Sequence, residues 1–246
     1  MSAAPRSPLA SGPSASSHGG ILPLWPLLAG LGLLAALWLG PLPERSRGSF
    51  AAHMVMHMGI VAIAAPLLVL GVTRLRPAAL RGFPPQLALA ASFAEFAVVW
   101  GWHAPSLHDA ARVSAPLFLA EQGSFLLAGV FVWVTALRTA TGAGRLAARA
   151  AGVAALLVTS MHMTLLGALL LFSPRPLYAC ADLCAPAAAM TPLEDQALGG
   201  VIMLLVGGAS YLAGGLMLLS GVLRGPGGAE PPAAFAEARP GAGPMA

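Results

Sequence analysis

The stretch Ala51–Gly71 reads AAHMVMHMGIVAIAAPLLVLG. Apart from His53 and His57 it is apolar throughout, and a helix needs about 20 such residues to cross ~30 Å of hydrocarbon. The two histidines stand four residues apart, so on a helix both imidazoles project from one face. Met54 and Met58 form a second stripe about 100° round the helix, and Met56 lies on another face. An ionisable side chain inside a bilayer costs several kcal/mol (about 2.5–3.5 on insertion scales) unless a polar partner or a water-lined pocket receives it, which makes the pair a functional candidate. Imidazole with thioether is a donor set that suits copper, the sulfur favouring Cu(I). The methionines also have a plainer reading as flexible packing residues.

Working outward, the 246-residue chain is 57% hydrophobic and 9% charged, with a mean hydropathy of +0.79. That balance belongs to an integral membrane protein and excludes a soluble domain with a large core. The net charge of +4 superficially suits a nucleic-acid partner. Every basic residue is an arginine, however, and the arginines fall in loops between apolar runs. They read as topology determinants, with no nucleic-acid partner expected.

Six apolar stretches qualify as spans: Ile21–Gly40, Phe50–Val72, Pro85–Trp102, Ala115–Leu137, Leu146–Phe172 and Gln196–Leu223. The expected fold is all-α, a polytopic transmembrane bundle of six spans over residues 21–223. Residues 1–20 and 224–246, rich in Ala, Pro and Gly, read as disordered tails. Ile21–Gly40 is long for a signal-peptide core and has no charged segment close before it, so it reads as a retained span. Arg74, Arg76 and Arg81 follow the second span, Arg138, Arg145 and Arg149 surround the loop after the fourth, and Arg224 follows the sixth. By the positive-inside rule those loops are cytoplasmic, as are both termini. The loops 41–49, 103–114 and 173–195 then face outward, although Glu44, Arg45 and Arg47 make the first of them weakly basic.

This topology places the polar residues by depth. His53 and His57 lie one and two turns inside the outer start of the second span. His103 closes the third, in Trp100-Gly-Trp-His-Ala-Pro105, with Glu95 about 12 Å deeper on the same helix. Glu121 is two turns into the fourth span. His162, between Met161 and Met163, lies about 15 Å below the outer end of the fifth. His57, Glu95 and His162 are thus expected at similar depth, with His53, His103 and Glu121 as a shallower ring. Trp100, Trp102 and His103 also fit an interfacial aromatic belt. Glu95 also fits a lone protonated carboxyl bonded to a neighbouring helix.

Cys180 and Cys184, in LYACADLCAP, suit a disulfide in an oxidising exterior or a thiolate pair that catches Cu(I). The pairs Gly199-Gly200, Gly207-Gly208 and Gly214-Gly215 give the sixth span a smooth face for close helix packing. No phosphate-binding glycine loop, nucleophile elbow, HExxH motif or CxxCH haem attachment is present.

Several stretches together resemble the multi-span CtaG family of caa-type cytochrome c oxidase assembly factors. They are HMVMHM with APLLVLG (His53–Gly71), WHAPSLHDAA (Trp102–Ala111), SFLLAGVFVW (Ser124–Trp133), MHMTLLGALLLFSPRPLY (Met161–Tyr178) and PLEDQALGGVIM (Pro192–Met203). The resemblance implies a multi-pass protein of the bacterial plasma membrane, not an enzyme, that helps copper reach a haem-copper oxidase. Its recurring histidines match His53, His57, His103 and His162. One departure is Glu121-Gln122-Gly123, where a histidine is expected after the glutamate. The unrelated single-span copper-delivery factor that shares the CtaG name is not similar.

The leading expectation is therefore a copper site of His53, His57, His103 and His162, with Met54, Met58, Met161, Met163 and Glu121 as further donors. The ion would pass to the oxidase subunits directly or through a soluble copper chaperone. Two alternatives stand beside it. One is a b-type haem held by paired histidines as part of a quinol-linked oxidoreductase. The other is a metal-free assembly scaffold.

Overall fold

The computed structural model describes residues 24–138, 144–178 and 190–223. The tails, His18, Cys180 and Cys184 lie outside the described residues, so the disulfide and tail expectations are not addressed by it. Helices make up the architecture, and no strand occurs among the described residues.

In chain order the elements are α1 (Trp25–Leu39) and α2 (Leu42–Gly48), then α3 (Phe50–Leu75) and a 3-10 turn at Pro77–Leu80. They continue as α4 (Gln86–Trp102), α5 (Pro105–Val113) and α6 (Ala115–Ala136), with α7 (Gly144–Leu171) and α8 (Pro192–Leu223) completing the bundle. Helices α3, α6, α7 and α8 are each long and apolar enough to cross a membrane. The number rises to six if the bent pairs α1/α2 (51°) and α4/α5 (70°) each count as a span. A polytopic helical bundle is the result.

Two segments expected as loops are helical. Residues 42–48 and 105–113 form α2 and α5, each with a proline in its first turn, where a fixed φ and a missing N–H cost nothing. The break before α5 falls at Ala104, whose extended backbone (ψ 128°) is what a following proline favours. Helix α5 buries His108 and Ala111, so it folds back over the end of the bundle.

The quoted stretch forms the axis. In α3, 61% of the most apolar window is buried, against 22% in α8, so α3 is enclosed by its neighbours while α8 lies toward the periphery. Gly59–Ala64 winds as a π-helix, which rotates the second half of α3 relative to the first. Helices α7 and α8 meet backbone to backbone. A Cβ on Gly200 would stand 2.7 Å from the Leu171 nitrogen, and one on Gly167 2.9 Å from the Leu204 nitrogen. Only hydrogen fits there.

Each end of the bundle is tied by polar contacts. At one, Gln196 Nε2 donates to the Leu170 carbonyl at 3.1 Å, joining the start of α8 to the end of α7. At the other, Arg149 donates to the Gly221 carbonyl at 2.5 Å and Arg138 to that of Phe83. Arg74 sits 5.3 Å over the Trp25 ring. The histidines of the quoted motif are at the first end, the arginines that bracket the intervening loops at the second.

Candidate metal centre

The site begins with how α3 starts. Ser49, in extended conformation, caps the helix by accepting from Ala52 N–H at 3.1 Å. Asp195, at the start of α8, accepts from Phe50 N–H at 2.6 Å, Ala51 N–H at 3.2 Å and the Ser49 hydroxyl at 2.8 Å. Three donors converge on one carboxylate, which satisfies the free N–H groups of the helix end and its positive dipole. The register of α3 is thereby set, and His53 and His57 follow one and two turns in.

Both imidazoles are buried, and none of their four nitrogens has a hydrogen-bond partner. Leaving a buried polar atom unpaired costs about 1–3 kcal/mol, and such groups in a native fold call for an explanation in function. Around them stand two more histidines. The His103 ring centroid is 5.3 Å from that of His57 and 6.4 Å from that of His53, and the His108 ring is 5.0 Å from His53. His57 stacks on Phe125 at 3.8 Å, and His108 lies against Tyr178 at 4.2 Å. Aromatic walls therefore close the cluster.

His103 is oriented as metal-binding histidines usually are. Its Nδ1 lies 2.6 Å from the Val99 carbonyl, and because a carbonyl only accepts, Nδ1 carries the hydrogen. The unpartnered Nε2 is then a free lone pair on a ring held by its other nitrogen. Tyr178 donates to the His103 carbonyl at 3.2 Å and so fixes the backbone as well.

Glu121 of α6 completes the group. Its Oε1 is 3.6 Å from His53 Nε2, while Oε2 accepts from Gln122 Nε2 at 3.1 Å. One ligand atom each from His53, His108 and Glu121 lies within 4.8 Å of the others, all three residues buried. Donors on a first-row ion with ~2.0–2.2 Å bonds stand about 3.3 Å apart when tetrahedral and about 4 Å when opposed. Closing this triad on an ion therefore takes shifts under about 1 Å.

His108 was not among the ligands expected from sequence, because residues 103–114 read as a loop. The signal that could have found it is in PSLHDAARV itself, a proline-started amphipathic helix whose fourth residue turns inward. Four residues on, Arg112 Nη2 lies 3.0 Å from His108 Nε2. A guanidinium only donates, so this Nε2 accepts. Burial and the neighbouring Arg112 charge hold the His108 imidazole well below its usual pKa. Burial also lowers Arg112 to about 10, offset by Glu121, Tyr178, Asp109 and Asp195, which leaves the guanidinium charged near neutrality.

The remaining expected donors are placed elsewhere. Met54 and Met58 are buried against α8, the Met54 Cγ beside Gly199 and the Met58 sulfur beside Gly207, on a different face from the His53 and His57 stripe. Met163 packs at Gly207 too, whereas Met161 is 66% exposed. His162 is buried with both nitrogens unpartnered, its ring edge-on to Phe96 at 5.5 Å. It takes no part in the three-donor group. Glu95 does not join a ring of histidines either. Its Oε1 is 2.5 Å from the Tyr211 hydroxyl, which also lies 3.1 Å from the Val61 carbonyl, and Trp133 Nε1 donates to the same carbonyl at 3.2 Å.

Fold and site together define a polytopic helical membrane protein with a buried histidine–carboxylate cluster at one end of its bundle. The family model of the cytochrome c oxidase caa3 assembly factor (Caa3_CtaG) matches residues 23–225, and the chain belongs to that family. No curated protein and no solved structure matches it. The role supported by this membership is assembly of a caa3-type cytochrome c oxidase.

Proposed function

We propose that the protein carries copper, as cargo rather than as a resident cofactor, to the oxidase it helps assemble. The observation behind this reading is the convergence of His53, His108 and Glu121 on one buried point, with His57 and the pre-oriented His103 beside it. The donors are imidazole and carboxylate, which suit copper among the first-row metals. The caa3 assembly role selects copper from that group. Without thioether in the triad, the set serves Cu(II) as well as Cu(I), so the soft-sulfur preference expected from Met54 and Met58 drops out of the reading. A b-type haem is disfavoured because His57 lies directly on Phe125, and His108 on Tyr178, where a macrocycle would need a slot.

In this reading the histidine end faces outward in a bacterial plasma membrane and both termini are cytoplasmic. The partners are the oxidase subunits, reached directly or through a soluble copper chaperone. The protein is a carrier and catalyses nothing. The test is metal content and the visible spectrum of detergent-purified protein after growth with copper, comparing wild type with His53→Ala/His108→Ala. About one copper in wild type, lost in the double variant, with no Soret band, is the expected result. A stable, metal-free wild type whose oxidase assembles normally after both substitutions would overturn it.

A further inference from the structure

We infer that Arg112 is the displaceable occupant of the metal centre, a cationic side chain that must leave His108 before an ion can bind and that drives the ion out when it returns. The inference rests on the metal reading above and concerns how the cargo is released.

The argument is one of hydrogen-bonding capacity. As the side chains stand, the Nε2 lone pair of His108 is spent on Arg112 Nη2 at 3.0 Å. A neutral imidazole with Nε2 accepting carries its hydrogen on Nδ1, and that nitrogen is buried without a partner. Neither nitrogen of His108 therefore offers a free lone pair while Arg112 is in place. Arg112 also has the acidic side chains of Glu121, Asp109 and Asp195 as electrostatic neighbours, which favour the guanidinium where it stands. The guanidinium thus takes up the lone pair of the same histidine that a copper ion would use, and the two occupants exclude each other at His108.

Arg112 has somewhere to go. It also lines a pocket of about 380 Å³ with Arg47, Ser114 and Phe118. Its Nε is buried and unpartnered, so its present seat is incompletely satisfied, and a swing toward the pocket gives up the His108 hydrogen bond together with the nearby acidic charges. The acidic neighbours of its present seat, Glu121, Asp109 and Asp195, bias Arg112 back to His108. Copper binding is then opposed by a fixed internal competitor, as a carrier that must surrender its cargo requires. Mutually exclusive occupancy is a negative coupling between two binding events.

The test compares wild type, Arg112→Met and Arg112→Gln in detergent. Copper affinity is measured by chelator competition in both oxidation states, release by stopped-flow transfer to excess chelator, and the His108 tautomer in metal-free protein by nitrogen NMR. Both variants are expected to bind copper about tenfold or more tightly, a usual range for coupled sites, and to release it correspondingly slowly. Wild type is expected to show the Nδ1–H tautomer at His108 and Arg112→Met to lose that preference. If both variants fold and bind copper no more tightly than wild type, Arg112 is no competitor, although the metal centre stands. If wild type and variants all fail to bind copper, the metal reading falls and this inference with it. Should Arg112→Met aggregate, Arg112→Gln, which keeps a donor while removing the charge, decides the matter alone.

Discussion

Asp195 caps the helix that carries His53 from 145 residues away, its Oδ2 accepting from Phe50 N–H at 2.6 Å. The contact joins the first turn of α3 to the first turn of α8. It fixes the height at which the histidines stand. Asp195→Ala removes an acceptor for two backbone N–H groups and the Ser49 hydroxyl, and loss of a cap costs about 1–2 kcal/mol. Thermal unfolding in detergent should show a lowered midpoint. Asp195→Asn, which keeps one acceptor oxygen, should fall between that variant and wild type.

Glu121 supplies the one formal negative charge of the triad. Glu121→Gln preserves size and most hydrogen bonding but withdraws the charge that balances the cargo. Copper affinity measured by chelator competition should fall about tenfold or more, while the thermal midpoint changes little. An unchanged affinity would leave His53 and His108 as a two-coordinate site.

The methionines and His162 should be separable from the metal. Met54→Leu, Met58→Leu and Met163→Leu conserve volume at packed positions, and such exchanges usually cost under about 1.5 kcal/mol. Copper stoichiometry should stay at its wild-type value in all three, and in His162→Ala. Loss of copper in any one would return that residue to the donor set.

The α7–α8 crossing should tolerate no side chain. Gly200→Ala sets a methyl 2.7 Å from the Leu171 nitrogen and 2.8 Å from the Gly167 carbonyl oxygen, and neither backbone can yield without parting the helices. A loss of about 1–3 kcal/mol, the usual cost of overpacking, is expected as a lowered unfolding midpoint. Gly101→Ala, which meets nothing within 4 Å, is the control.

Much of this was legible in the sequence. Spacing alone places His53 and His57 on one face, depth brings His103 and Glu121 to the same end, and hydropathy yields the bundle. The paired glycines of the last span predict its close approach to a neighbour, and the structure shows Gly200 against α7 and Gly199 against α3. What was not legible depends on which helix meets which. The Met54 and Met58 stripe is as regular as the histidine stripe, yet it faces α8, and no local pattern distinguishes the two faces. Asp195 reads as the last residue of the outward loop 173–195, and its partners lie 144 to 146 residues distant. His108 was lost to a loop assignment because nine polar-rich residues fall below the length at which an apolar pattern declares a helix. His162 lies apart from the His53, His108 and Glu121 group because depth along an axis says nothing about azimuth.

The pair Glu95 and Tyr211 has a consequence that follows from counting hydrogens. Tyr211 owns one hydroxyl hydrogen and lies within bonding distance of two oxygens, Glu95 Oε1 and the Val61 carbonyl. The Val61 carbonyl already receives the Trp133 Nε1 hydrogen at 3.2 Å, so the phenol's single hydrogen goes to Glu95 in the shorter contact. The Tyr211–Glu95 contact and the Trp133–Val61 bond meet at the π-wound turn of α3, below His57. Glu95→Gln still offers an acceptor oxygen to the Tyr211 hydroxyl and should leave the unfolding midpoint near wild type, whereas Tyr211→Phe should lower it. The charged side chains named around the histidine end are Glu121, Arg112, Asp109 and Asp195, and together they set the field that a cation arriving there meets.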